Sequence, residues 1–167
     1  MKRMLFGMVV LLGVLGLAQP TACDVVSDAA VNAVIGAGFV TKNTPMNRKD
    51  IQGYGTMCSR RKDKILVQVV LLPGVTDKGM NLQDLLKQET QDATQDSSSK
   101  TKITVTPQKG LGDEAFSTTF ETSEAPIKFS HVAVRKGKTV FFVQVFNTTD
   151  PLADALKLAK GGVSRLP

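Results

Sequence analysis

Residues 127–146 read Ile-Lys-Phe-Ser-His-Val-Ala-Val-Arg, then Lys-Gly-Lys, then Thr-Val-Phe-Phe-Val-Gln-Val-Phe. Two runs rich in β-branched and aromatic residues, 127–135 and 139–146, flank a short turn holding Gly137. That is the pattern of a β-hairpin, and it is the clearest one in the chain. Working outward, Lys64–Leu72 places Ile65, Val67, Val69 and Leu71 on one face and Leu66, Gln68, Val70 and Leu72 on the other. A strand apolar on both faces is covered on both, here by helices. Gln52–Arg60 precedes it as a strand carrying Cys58, with Arg61-Lys62-Asp63 as the expected hairpin tip. Thr101–Thr106 alternates Ile103 and Val105 with polar residues. Pro107 ends it, and Gly110-Leu111-Gly112-Asp113 turns the chain into Ala115–Thr122.

Three stretches carry helical spacing. Val25–Ile35 sets Val26, Ala30, Val31, Val34 and Ile35 near one stripe before Gly36 and Gly38. Met80–Gln95 follows Pro73-Gly74. Its Leu82, Leu85, Leu86 and Ala93 face the core, while Asp84, Lys87, Gln88 and Gln91 face water. It runs into a polar stretch, Asp96-Ser97-Ser98-Ser99, expected to be mobile. The last helix has Asp150 as cap, Pro151 at its first position, and Leu152, Leu156, Ala159 and Val163 as its buried stripe. Gly161-Gly162 weakens its final turns. Residues 40–50 read as a polar loop. The fold class expected is α+β: a mainly antiparallel sheet of about six strands packed against three helices. The strand-helix-strand unit at 64–106 offers one parallel pair.

The N-terminus bears on compartment. Lys2 and Arg3 precede an apolar run, Met4–Leu17, and then Ala18-Gln19-Pro20-Thr21-Ala22-Cys23. A basic start, an apolar centre and small residues read as an export signal over residues 1–22, too short to span a bilayer. Residues 23–167 then form a single α+β domain, long enough to bury roughly two-thirds of its unfolded surface. Gly16 and Ala18 suit a cut after Ala18. A cut after Ala22 puts Pro20 in a poorer position, and a lipoprotein cut before Cys23 lacks the usual leucine three residues upstream. Without Lys2 and Arg3, 19 basic residues face 15 acidic ones, a net charge of +4. That charge suits weak binding to anionic surfaces and equally suits solubility. Nucleic acid is not an expected partner of an exported chain whose few aromatics sit in core-like positions.

Cys23 and Cys58 are the whole cysteine complement. In an oxidising compartment an even pair reads first as a disulfide. Lipidation of Cys23 is the alternative, giving a secreted or periplasmic protein tethered to the membrane. Two cysteines and one histidine do not match zinc spacing, and no metal or cofactor is expected.

The stretch Cys23-Asp24-Val25-Val26-Ser27-Asp28-Ala29-Ala30-Val31, with Gly36 and with Cys58 in a strand, resembles the opening of a family of small secreted actinobacterial-type proteins of unknown function. Gly110-Leu111-Gly112-Asp113-Glu114-Ala115-Phe116 is similar to that family's turn. The hairpin at Val134-Arg135-Lys136-Gly137 and the close from Leu158-Ala159 to Arg165-Leu166 match it too. The resemblance implies paired cysteines and a PsbP-like α/β/α sandwich, as in various envelope lipoproteins. It supplies no catalytic residues. Many relatives carry a separate lipidated cysteine upstream, and this chain has none.

The motifs that suggest chemistry have plainer readings. His131, the single histidine, shares a strand face with Phe129 and Ala133 and has no marked nucleophile such as Ser130 beside it. Gly110-Leu111-Gly112 precedes a strand, whereas a phosphate loop opens a helix. Asp113 and Glu114 are too few for calcium and read as turn acids. Asn147-Thr148-Thr149 is a glycosylation sequon only in a eukaryotic secretory route. Arg60, Arg61, Lys62 and Lys64 at one tip, with Arg135, Lys136 and Lys138 at another, form one anion-binding patch if both lie at one end of the sheet. The function expected is a non-enzymatic exported domain binding an unidentified partner protein or small ligand at the cell envelope. The alternative is a lipid-anchored structural or accessory lipoprotein.

Overall fold

A computed structural model of the chain describes residues 20–48, 53–78, 81–87, 101–122 and 128–166. The expected export segment before Pro20, Ala93 and the 96–99 stretch lie outside the described residues. Seven strands are described: β1 Val40–Arg48, β2 Gly53–Lys62, β3 Ile65–Leu72, β4 Thr101–Pro107, β5 Glu114–Thr122, β6 Phe129–Lys136 and β7 Thr139–Phe146. They form one sheet in the order β1-β2-β3-β7-β6-β5-β4, antiparallel at every pairing. Helices α1 Ala22–Val25, α2 Asp28–Val34 and α4 Pro151–Val163 lie on one face. A 3-10 turn, Val75–Lys78, and the helical residues 82–87 (α3) lie on the other. Among the described residues no helix is long and apolar enough to cross a membrane.

The α+β class stands, with corrections in detail. The sheet has seven strands because residues 40–48 form β1 rather than a loop. β1 is an edge strand, so Thr41, Lys42 and Asn43 stay in water and a proline is tolerated at position 45. The expected parallel pair is absent from the described sheet. β3 and β4 run the same way, but β7, β6 and β5 stand between them. The first helix is two, because the Ser27 hydroxyl accepts from the Ala30 amide at 3.3 Å and starts α2 afresh. The β2–β3 tip is Asp63-Lys64 rather than Arg61-Lys62-Asp63. Asp63 takes the positive φ (49°) that so short a turn requires.

Alternation along the strands builds two cores. On the first face Cys58, Val67, Val69, Val132, Val134 and Phe141 pack under α1, α2 and α4. On the second, Leu72, Val140, Phe142 and Ala133 pack under Val75, Leu82, Leu85 and Leu86. Leu82, Leu85 and Leu86 face the core and Asp84 and Lys87 face water, as their spacing requires.

The buried line of α4 is rotated from the expected one. Ala155, Leu158, Ala159 and Gly162 are buried, whereas Leu152, Leu156 and Val163 flank them, half-buried. Small residues occupy the central line because the helix lies close to the sheet. A Cβ added at Gly162 would meet Phe141 Cε2 and Val25 Cγ1 at 3.2 Å and Val26 Cγ2 at 3.3 Å, all on buried side chains. At Gly161 a Cβ meets nothing within 4 Å. Adjacent glycines therefore respond oppositely to alanine. Gly161→Ala raises stability by about 1 kcal/mol through helix propensity, while Gly162→Ala lowers it by about 1–3 kcal/mol through overpacking. Urea unfolding of the two variants measures both signs.

Candidate functional site

The first feature that the fold assembles is a clasp. Cys23 of α1 and Cys58 of β2 form a disulfide (S–S 2.00 Å, Cα–Cα 5.1 Å), as expected from an even pair of cysteines. The Ala22 amide donates to Thr56 Oγ1 at 2.7 Å, which seats the start of α1 on β2. The Asp24 carboxylate accepts from the Thr21 amide at 2.8 Å and the Thr21 hydroxyl at 2.7 Å, and these bonds hold its pKa below the ordinary value. Two residues beyond Cys58, on the same face, Arg60 is 1% exposed. Its Nε donates to Asp28 Oδ1 at 2.6 Å, and its Nη2 donates to the Val26 and Cys23 carbonyls. The bond from Arg60 lowers the Asp28 pKa. Arg60 is therefore an internal brace between α1 and α2, not part of a surface patch.

The two basic tips do not form one surface. Leu66 lies opposite Phe146 and Leu72 opposite Val140, so the Asp63-Lys64 turn and the Gly137-Lys138 turn cap opposite ends of the sheet. The length of β7 separates them by about 25 Å. Several of the cations are also engaged internally. Lys62 Nζ donates to the Ala37 carbonyl at 2.6 Å, and Lys136 Nζ donates to the Val163 and Leu166 carbonyls at 3.3 and 2.7 Å. Arg135 pairs with Asp113 at 3.2 Å and Glu114 at 3.3 Å. Arg61, Lys64 and Lys138 are exposed, the first two at the β2–β3 end and Lys138 at the other.

The glycine turn is a structural joint. Leu111 is buried, the Asp113 amide donates to the Arg135 carbonyl at 2.9 Å, and Asp113 Oδ2 accepts from the Gly137 amide at 2.7 Å. A Cβ at Gly112 (φ 63°) would collide with the Arg135 carbonyl oxygen. These contacts lock the β4–β5 connection onto the β6–β7 turn. Asp113 and Glu114 are spent on Arg135 there, and no group of three or more metal-ligating side chains occurs among the described residues.

His131 sits at the centre of the second face, 2% exposed, opposite Thr118 on β5 and Gln144 on β7. Its ring lies 5.2 Å from that of Phe142. Burial pushes its pKa down to about 4, so the imidazole is neutral at physiological pH. It borders neither of the clefts described next.

Two surface depressions are lined by described residues. A mainly apolar cleft of about 250 Å³ lies between α3 and the β4 edge, with Leu86, Val105 and Phe116 on its walls. A polar pocket of about 450 Å³ lies at the other side of the sheet, where β7 bends into α4. Asn147, Thr148, Thr149, Asp150, Asp154 and Lys157 line it, over a floor of Val34, Ile35 and Ile65. Asn147 has φ 61°, and its side-chain amide donates to the Lys64 carbonyl at 2.8 Å, so the nitrogen of the sequon is engaged. Asp150 Oδ1 accepts from the Ala153 amide at 3.0 Å, the expected cap. The sequence reading notices these residues only as a sequon and a cap. The helical spacing of Asp150, Ala153, Asp154 and Lys157 is the signal that places them on one face. Comparison of the chain with protein-family models and with curated proteins finds no match.

Two measurements test this account. Opening the disulfide, by reduction or by Cys23→Ser with Cys58→Ser, lowers unfolding free energy by about 3–4 kcal/mol for a loop of this length, read by urea denaturation with and without reductant. His131 imposes a separate pH dependence. Between its folded pKa near 4 and its ordinary value of 6.5, the unfolded chain binds a proton that the native chain refuses. Its contribution is complete above pH 6.5 and is lost as pH falls towards 4, by about 3 kcal/mol in all. In His131→Leu, stability measured across this window loses that slope.

Proposed function

We propose that this chain is an exported, disulfide-clasped binding domain of the cell envelope that holds a partner protein or small ligand and has no catalytic role. The observation that carries the reading is the Cys23–Cys58 bond, which belongs to an oxidising compartment. It agrees with the export pattern of Lys2, Arg3 and Met4–Leu17. Helices on both faces of one antiparallel sheet also suit the likeness to PsbP-type envelope proteins. The single histidine is held neutral and buried and is among the lining residues of neither cleft, which favours binding over acid–base chemistry.

The same bond argues against the tethered alternative, because a thioether at Cys23 would occupy the sulfur that the clasp uses. The clasp also favours one processing site. Thr21 binds Asp24, and Ala22 is fully buried with its amide on Thr56. A cut after Ala18 keeps both residues, and a cut after Ala22 discards them. Mass spectrometry of the protein recovered from the envelope and the medium tests the proposal. The expected product begins at Gln19 and weighs two hydrogens less than its dithiol form. An uncut cytoplasmic chain with two free thiols overturns the reading.

A further inference from the structure

The polar pocket beneath the start of α4 is built from groups of alternating hydrogen-bonding sense. Thr148 and Thr149 each offer a hydroxyl that donates and accepts. Asp150 and Asp154 accept only, and Lys157 donates only. Asp150 keeps Oδ2 available while Oδ1 caps the helix, and Asn147 keeps its side-chain oxygen while its nitrogen is bound to Lys64. Two carboxylates against one ammonium give the lining a net charge of −1, which disfavours phosphates and other anions. The floor of Val34, Ile35 and Ile65 is apolar.

One group in this lining is under-satisfied. Thr148 is 8% exposed, and its Oγ1 is buried without a hydrogen-bond partner among the described residues. A buried hydroxyl left in that state is a standing cost to the fold. Thr148 borders the pocket, and turning χ1 by one staggered well carries the hydroxyl to the position its methyl occupies. A ligand in the pocket is then the partner the hydroxyl lacks.

We infer that this pocket binds a neutral sugar unit of an envelope polysaccharide. A pyranose ring presents hydroxyls that both donate and accept along its rim, matching the mixed lining. It also presents a C–H face that suits the aliphatic floor. The volume falls within the range usual for small-molecule sites. This deepens the binding-domain reading and rests on it for its setting.

Protein-observed NMR on the purified oxidised protein tests the site, with glucose, mannose, galactose, N-acetylglucosamine and their disaccharides as probes. The expected result is saturable shifts confined to residues 147–157 and 34–35 for at least one probe, with Kd near ~1 mM for a single sugar. Thr148→Val keeps the shape and removes the hydroxyl, and Asp154→Asn removes one acceptor charge. Each weakens that sugar about tenfold. Thr148→Val melts no lower than the parent, because the group it deletes has no partner in the ligand-free fold. Absence of shifts with every sugar overturns the inference, as do shifts centred on Leu86 and Phe116. Shifts of the same residues with calcium or phosphate but no sugar also overturn it. None of these failures touches the export reading, which the mature mass decides separately.

Discussion

The covalent link from Cys23 to Cys58 holds in place two helices too short to persist alone. α1 has four residues and α2 seven, well under the length at which an isolated helix is even marginal in water. Their order comes from outside: the disulfide, the Arg60 brace and the burial of Val25, Val26 and Val31 on the sheet. The longer α4 in turn uses them as a wall. Gly162 lies against Val25 and Val26, and Arg165 Nη1 donates to the Asp24 carbonyl at 3.0 Å. One side of the fold is thus anchored by the disulfide, the Arg60 brace and the apolar contacts of α1 and α2 acting together.

The basic residues acquire meaning only within this layout. Arg60, Lys62 and Lys136 occupy strand positions whose side chains face the helical layer, and each meets the carbonyls at or beyond a helix C-terminus. Arg60 reaches Val26 at the end of α1, Lys62 reaches Ala37 beyond α2, and Lys136 reaches Val163 and Leu166 at the end of α4. Helix C-termini carry unpaired carbonyls and partial negative charge, so cations placed there complete the helices. Counting lysines and arginines along a chain cannot separate such internal partners from a ligand site. The distinction depends on strand phase and on which helix lies overhead.

Much of the architecture was legible because hydrophobic period is a local signal. The β6–β7 hairpin, the two-faced β3 and the leucine line of α3 all follow from spacing alone. β1 escaped because both faces of an edge strand can remain polar, so Thr41, Lys42 and Asn43 carry no alternation. The break inside the first helix escaped because the Ser27 cap sits within an apolar pattern that continues across it. In α4 the spacing sets Leu152, Leu156 and Val163 beside Ala159 on the buried line, whereas Ala155, Leu158, Ala159 and Gly162 occupy it, with glycine where the helix approaches Phe141. The placement of the basic tips at opposite ends depends on β7 pairing beside β3, a contact between residues 68 to 80 positions apart. No local pattern encodes that contact, and the 147–157 pocket depends on it equally.

The buried polar atoms help rank the surface features. Arg60 Nη1 lacks a partner among the described residues, but the same guanidinium is already bound to a carboxylate and two carbonyls. Thr118 Oγ1 lacks one too, yet it lies in mid-sheet opposite His131 and borders neither cleft. Thr148 differs because its hydroxyl lacks a partner among the described residues and its side chain forms part of a pocket wall. Among the described residues the apolar cleft at Leu86 and Phe116 contains no such group, and its shape follows from a helix leaning on a sheet edge. A polar atom whose missing bond an incoming molecule can supply couples the fold's energy to binding, and that coupling distinguishes a site from a dent.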